Sequence, residues 1–171
     1  MKKLIVGLVS LITFSALFTA CMKNDVDNTP RYQDPALEKA SIDSFINAKG
    51  YNMVELKENN VGTGLMYEIL NYGDTTSTGI VSNLRPIAKV KYTGTLLNGD
   101  IFDSSTNANF DMRYSQNYIS SFNFAIFSIG KGGHIRFVTP SKYGYGNKAS
   151  SKIPANSPLF FDVELLDVTA Q

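Results

Sequence analysis

The stretch VKYTGTLLNGDIFDSS, residues 90–105, reads as two strands joined by a tight turn. Alternation at its start puts Val90 and Tyr92 on one face and Lys91 on the other, and Asn98-Gly99 is a dipeptide that accepts the left-handed backbone of a hairpin turn. The second arm resumes with Ile101-Phe102 and then sets a carboxylate, Asp103, directly after the phenylalanine. A tyrosine and a carboxylate on two strands otherwise suited to apolar burial form a polar pair that needs a purpose, because a buried polar group without a partner costs free energy.

Upstream, RPIAKVKYTGTL extends the alternation, with Ala88 joining Val90 and Tyr92 opposite Lys89 and Lys91, and GLMYEILNYGD (64–74) is a further strand that ends in a turn signal. Downstream, GGHIRFVTP sets Ile135 and Phe137 against His134 and Arg136, which leaves His134 a solvated strand residue. The closing PLFFDVELLDV sets Leu159, Phe161, Val163 and Leu165 against Asp162 and Glu164. Between these runs, YISSFNFAIFSIGKGG carries Ile119, Phe122, Ile126 and Ile129 three and four apart, the spacing of a helix face that Gly130 or Gly132 would end. The expected fold class is α+β: an antiparallel sheet with one helix packed across it.

Residues 1–20 are expected to lie outside that fold. Met1-Lys2-Lys3 followed by LIVGLVSLITFSALF is a positive n-region and an apolar h-region, the pattern of an export signal, and is shorter than the roughly 20 apolar residues of a membrane span. It runs into LFTAC, which resembles a bacterial lipobox and marks Cys21, the sole cysteine, as the lipidated first residue of a mature chain. Residues 21–34, with MKNDVDNTPRYQDP, are too polar to pack and read as a flexible tether. Residues 35–60 are expected to form a helical extension, with one amphipathic helix over about 35–48. Asp34 would be its N-cap, Pro35 its first turn, Leu37, Ile42, Phe45 and Ile46 its apolar stripe, and Gly50 its stop. That stripe can rest on the following domain or on a partner.

The 171 residues, 43% hydrophobic and 12% aromatic, suit one well-packed domain with extensions. Loss of Lys2 and Lys3 would bring the 16 basic residues to 14 against 15 acidic ones, and the basic residues are scattered, so no nucleic-acid-binding surface is expected. One histidine and one cysteine cannot assemble a His/Cys metal cluster or a Cys-His nucleophile pair, and neither metal nor cofactor is expected. GKGG and GYG have neither the spacing of a phosphate loop nor that of a dinucleotide fingerprint.

The order V-x-Y-T-G-x-L-x-x-G-x-x-F-D-S-S, an apolar helix, G-G-x-x-R-F-V-x-P, Y-G-Y-G, I-P and F-D-V-E-L-L resembles the FKBP family of peptidyl-prolyl cis/trans isomerases over roughly residues 61–171. The resemblance implies a curved antiparallel sheet of five to six strands wrapped around one short helix, with the site in the hollow between them. It implies Tyr92 and Asp103 as the polar pair, assigned to catalysis, with Phe102 beside them. Ile119, before the helix, would offer its backbone N–H to a substrate carbonyl; Tyr118 precedes it where the family often has Val, and Phe122 forms the floor where many members carry Trp. Tyr145, Ile153 and Phe161 would close the wall, and Phe110 would be a further aromatic between the FDSS motif and the helix. The segment TNANFDMRYSQN departs from the usual P-F-x-F pattern, and Ser120-Ser121 replaces a frequent Pro-Gly pair. Read from the residues alone, Phe102, Phe122 and Phe161 could be plain core aromatics, Asp103 a cap on Ser104 or Ser105, and Tyr92 an ordinary strand residue.

The implied partners are proline-containing polypeptide clients and macrolide inhibitors, with a membrane reached through Cys21; a cell-envelope lipoprotein, on the outer membrane, is the expected location. The competing function is a non-catalytic binding or chaperone module that uses the 35–48 helix as an adaptor.

Overall fold

Ile87–Leu96 (β3) and Ile101–Ser105 (β4) pair antiparallel across the Asn98-Gly99 turn, in a computed structural model that describes residues 33–74, 87–105, 111–113 and 118–169. Gly99 takes φ +96°, the Asn98 side chain accepts the Asp100 N–H at 3.0 Å, and Leu96 N–H closes onto the Asp100 carbonyl at 2.9 Å. Only a residue without Cβ adopts that φ at no steric cost, which is why the dipeptide fixes the hairpin.

Around this hairpin stand Val54–Glu58 (β1), Val61–Asn71 (β2), Asp111–Arg113 (β5), Gly133–Thr139 (β6) and Leu159–Thr169 (β7). The strands join in the order β1-β2-β6-β7-β3-β4, every pair antiparallel, with the short β5 also paired to β3. The sequence expectation of an α+β sheet around one short helix holds. Ser120–Phe127 (α2) packs on the inner face, where Ala88, Val90, Tyr92, Ile135, Phe137, Leu159, Phe161, Val163 and Leu165 are buried with Phe122, Ala125, Ile126 and Ile129. The period-2 alternation of β3, β6 and β7 therefore projects one side chain in two into a single core, each worth roughly 1.5–3 kcal/mol when fully buried.

The outer face is covered by Pro35–Lys49 (α1), capped by the Asp34 side chain on Ala36 N–H and stopped by Gly50 at φ +68°. Ile42, Phe45 and Ile46 bury themselves against Val138 and Phe160 of the sheet, so the apolar stripe rests on its own domain. Leu37 was expected in that stripe but is 59% exposed, while Glu38 is 5% exposed in its place. The helical rotation explains this, because residue 38 lies one turn before Ile42, whereas residue 37 is about 140° away from it.

Three further expectations are corrected. The 35–60 extension is not helical throughout: β1 pairs with β2 through a turn at Asn59 and Asn60, both left-handed at φ 50° and 64°. α2 ends at Phe127 with Ser128 as a right-handed C-cap, before either glycine, which lets Ile129 enter the core with no exposed surface. His134 is not simply solvated, since its Nε2 lies 2.6 Å from Asp162 Oδ1. The other oxygen of Asp162 accepts from Arg136 Nε at 2.8 Å, and that guanidinium lies over the Tyr51 ring at 5.0 Å, so the outer-face row is half-buried beside α1. Among the described residues no helix is long and apolar enough to cross a membrane.

Candidate active site

β3 has a glycine in mid-strand, Gly94, whose partners in register are Asp103 on β4 and Phe161 on β7. The missing side chain has a use: a Cβ there would stand 2.6 Å from Phe102 Cζ and 3.0 Å from Phe161 Cε1. Gly94 thus lets the two rings meet over the strand, centroids 5.5 Å apart at 82°, the edge-to-face contact that aromatic quadrupoles favour. Phe161 also meets Phe122 edge-on at 5.5 Å and stacks on Phe137 at 4.9 Å, and Tyr92 meets Phe122 at 5.4 Å and 81°. Gly94→Ala is expected to push Phe102 aside at a cost of about 1–3 kcal/mol; a lower melting temperature together with weaker binding of a proline-containing peptide would show it.

These rings floor a hollow of about 480 Å³ lined by Tyr92, Phe102, Asp103, Ser104, Ser105, Tyr118, Ile119, Phe122, Tyr145 and Phe161. Strand alternation brings Tyr92 inward beside the floor, and the β3–β4 pairing brings Asp103 over it, so that Tyr92 OH donates to Asp103 Oδ2 at 2.7 Å. Asp103 therefore receives the tyrosine hydroxyl across the hairpin from a position on β4. Burial, and then the hydrogen bond to Asp103, push the Tyr92 hydroxyl well above the usual tyrosine range. Burial and then the charge of Asp103 raise Tyr145 as well. Both phenols stay protonated at neutral pH and offer dipoles instead of charges.

Ile119 is the N-cap of α2; its carbonyl accepts Phe122 N–H at 3.1 Å, and as the residue before the helix it belongs to the end where backbone donors lack intrahelical partners. Tyr118 and Ile119 stand on one side of the hollow and Tyr145, 44% exposed, lies on its rim. Of the residues singled out from sequence, Tyr92, Phe102, Asp103, Tyr118, Ile119, Phe122, Tyr145 and Phe161 are brought together here. Ile153 is buried in the inner core at 4% exposure, in one cluster with Tyr92, Phe122 and Phe161, and is not among the residues that line the hollow. Its backbone pairs with Ser150 in a tight bridge. Phe110 and Cys21 lie outside the described residues. Sequence reasoning passed over Ser104 and Ser105 as lining residues, and Phe137 as the ring beneath Phe161; the strand alternation already carried the signal for Phe137.

The arrangement is an apolar, mostly aromatic slot with a single carboxylate at its edge. It can bind a compact apolar group and orient a carbonyl.

Comparison with known proteins agrees with that chemistry. A family model described as FKBP-type peptidyl-prolyl cis-trans isomerase matches residues 82–166. The chain is 38% identical over 108 residues to a probable FKBP-type peptidyl-prolyl cis-trans isomerase of Haemophilus influenzae, covering 62% of this chain and 43% of that protein. It is 34% identical over 136 residues to the FKBP-type peptidyl-prolyl cis-trans isomerase FkpA of Escherichia coli, covering 77% and 49%. The crystal structure of Escherichia coli FkpA superposes with a TM-score of 0.61 at 32% identity over 79% of this chain and 59% of that one. A peptidyl-prolyl cis-trans isomerase structure from Pseudomonas syringae pv. tomato superposes with a TM-score of 0.57 at 25% identity over 81% and 98%. The chain spans less than half the length of those two relatives from Haemophilus influenzae and Escherichia coli.

Proposed function

Since the chain belongs to the FKBP-type peptidyl-prolyl cis-trans isomerase family through residues 82–166, we propose that it catalyses cis/trans isomerisation of X-Pro bonds in polypeptides folding outside the cytoplasm. The observation that carries the reading is the aromatic hollow with Asp103 and the Tyr92 hydroxyl joined at its edge. Rotation about the peptide bond is slow because it breaks amide resonance, with a barrier of about 18–20 kcal/mol. In the twisted transition state the charge-separated resonance form is lost, so an apolar slot disfavours the planar ground state more than the twisted one. No covalent step is required. The rings of Phe102, Phe122 and Phe161 would grip the proline, the Ile119 N–H would hold a substrate carbonyl, and Asp103 with Tyr92 would orient the rotating one. Lowering the barrier by about 5.5 kcal/mol accelerates the exchange ten-thousand-fold. Macrolide inhibitors, apolar and carbonyl-bearing, would compete for the same slot.

The alternative of a non-catalytic adaptor needs α1 to offer its apolar face to a partner, and that face is occupied by Val138 and Phe160. An isomerisation assay separates the two readings, because a module that only binds leaves the exchange rate unchanged.

The lipobox-like LFTAC supports an anchor at Cys21, with residues 1–20 removed and the tether between lipid and domain running from Cys21 and ending before Gln33 and Asp34, which are bonded to the domain and to α1. Met22 leaves no acidic residue next to the cysteine, which argues for the outer membrane of a Gram-negative envelope. Wild-type protein should take up a fatty-acid probe and fractionate with membranes, and Cys21→Ser protein should do neither. Equal labelling of the two, or of neither, would remove the anchor from the account.

A further inference from the structure

We propose that α1 is a clamp on the rim of the hollow, with Glu38 the positioning residue that fixes the loop carrying Tyr145. Glu38 sits in the first turn of α1, one turn before Ile42, on the face that packs against the sheet domain. An apolar side chain there would complete the stripe, and a buried carboxylate is costly unless its oxygens are satisfied. Both are. Oε2 accepts Ser141 N–H at 2.9 Å and Oε1 accepts Ser141 Oγ–H at 2.5 Å, across 103 positions of sequence. Ser141 is itself 1% exposed, so both partners are buried where they meet.

What Ser141 does next gives the contact its consequence. Its carbonyl accepts Gly144 N–H at 2.9 Å and Gly146 N–H at 2.8 Å, the two residues that flank Tyr145. The Gly146 carbonyl accepts Asn156 N–H at 2.9 Å, and the Asn156 side chain accepts Gln33 N–H at 3.2 Å from the residue before the α1 cap. The segment 33–38 therefore holds the 141–156 loop at two points, one through Glu38 and one through Gln33. Tyr145 is 44% exposed while lining the hollow, so burial alone does not set its direction. The backbone held by these bonds does. Release of Glu38 would widen the range of Tyr145 positions without touching the aromatic floor, which is built on β3, β4, β7 and α2.

Amide hydrogen exchange and a double-mutant cycle on the full chain test the clamp. In Glu38→Ala the Gly144 and Gly146 amides should exchange about tenfold faster or more, while the Val90 and Val163 amides of the sheet stay protected. Exchange at Gly144 and Gly146 that rises no more than at Val90 and Val163 would overturn the proposal. The second arm rests on the isomerase reading: Glu38→Ala should lower kcat/KM on an X-Pro peptide about threefold to tenfold, and this loss should vanish in a Tyr145→Ala background. An equal loss in both backgrounds would mean that Glu38 acts on overall stability and not through Tyr145. Should Glu38→Ala fail to fold, Glu38→Gln and Ser141→Ala, each keeping part of the contact, should show the same selective exchange at smaller size, and their unchanged exchange would overturn the proposal. A chain without isomerase activity would remove the function proposed above and leave the exchange arm to decide the clamp.

Discussion

Phe161→Ala is expected to lower stability by about 3–5 kcal/mol, the cost of emptying a buried aromatic site that cannot collapse fully. Phe161 is 3% exposed and joins three rings at once: stacked on Phe137 at 4.9 Å and edge-on to Phe102 and Phe122 at 5.5 Å each. Its loss takes the Phe161 ring away from Phe102 on the short β4, so the wall of the slot loosens as the core is emptied. Calorimetric or denaturant unfolding checks the stability, and peptide affinity measured well below the melting temperature checks the wall. A variant that keeps wild-type affinity while folded would show that Phe161 serves only the core.

Asp103→Ala is expected to keep the fold and to lower kcat/KM on X-Pro peptides by about tenfold to a hundredfold, or roughly 1.4–2.8 kcal/mol of transition-state stabilisation. The carboxylate is exposed on β4, so its removal leaves no core cavity. What it removes is the acceptor for the Tyr92 hydroxyl, 2.7 Å away, and one polar contact for a rotating carbonyl. If the apolar slot and the gripping of proline provide most of the acceleration, a substantial residual rate must remain. A well-folded Asp103→Ala protein with no activity at all would assign the acceleration to acid-base chemistry at Asp103 instead. Kinetics read beside a circular-dichroism melt make the distinction.

What could be read in advance follows from where the physics is periodic. β3, β6 and β7 each have one buried and one outer face, so a period of two exposes them in the sequence, and Asn98-Gly99 announces the hairpin that sets Asp103 opposite Gly94, two residues along β3 from Tyr92. β1 has no such signal: its pattern VELKE places charged residues on both faces of an edge strand, and only the Asn59-Asn60 turn announces the hairpin. Glu38 and Leu37 exchange their expected places because one residue of helical rotation decides which is buried, and a buried carboxylate is invisible until Ser141, 103 positions away, comes to meet it. The role of Gly94 is equally nonlocal, since it depends on two rings that reach it from neighbouring strands. Ile153, placed in the wall by resemblance, is buried in one cluster with Tyr92, Phe122 and Phe161, contacts that span the chain and that no local pattern announces.

The central claim is that this hollow catalyses rotation about X-Pro bonds, and NMR exchange spectroscopy on a short peptide with an apolar residue before proline tests it most directly. Substoichiometric protein should bring cis/trans interconversion, which takes tens to hundreds of seconds unaided, into the range of seconds or faster. The double variant Asp103→Ala, Phe161→Ala should leave the peptide close to its spontaneous rate. Wild-type protein that binds the peptide at the hollow yet accelerates its exchange no more than that variant would contradict the account.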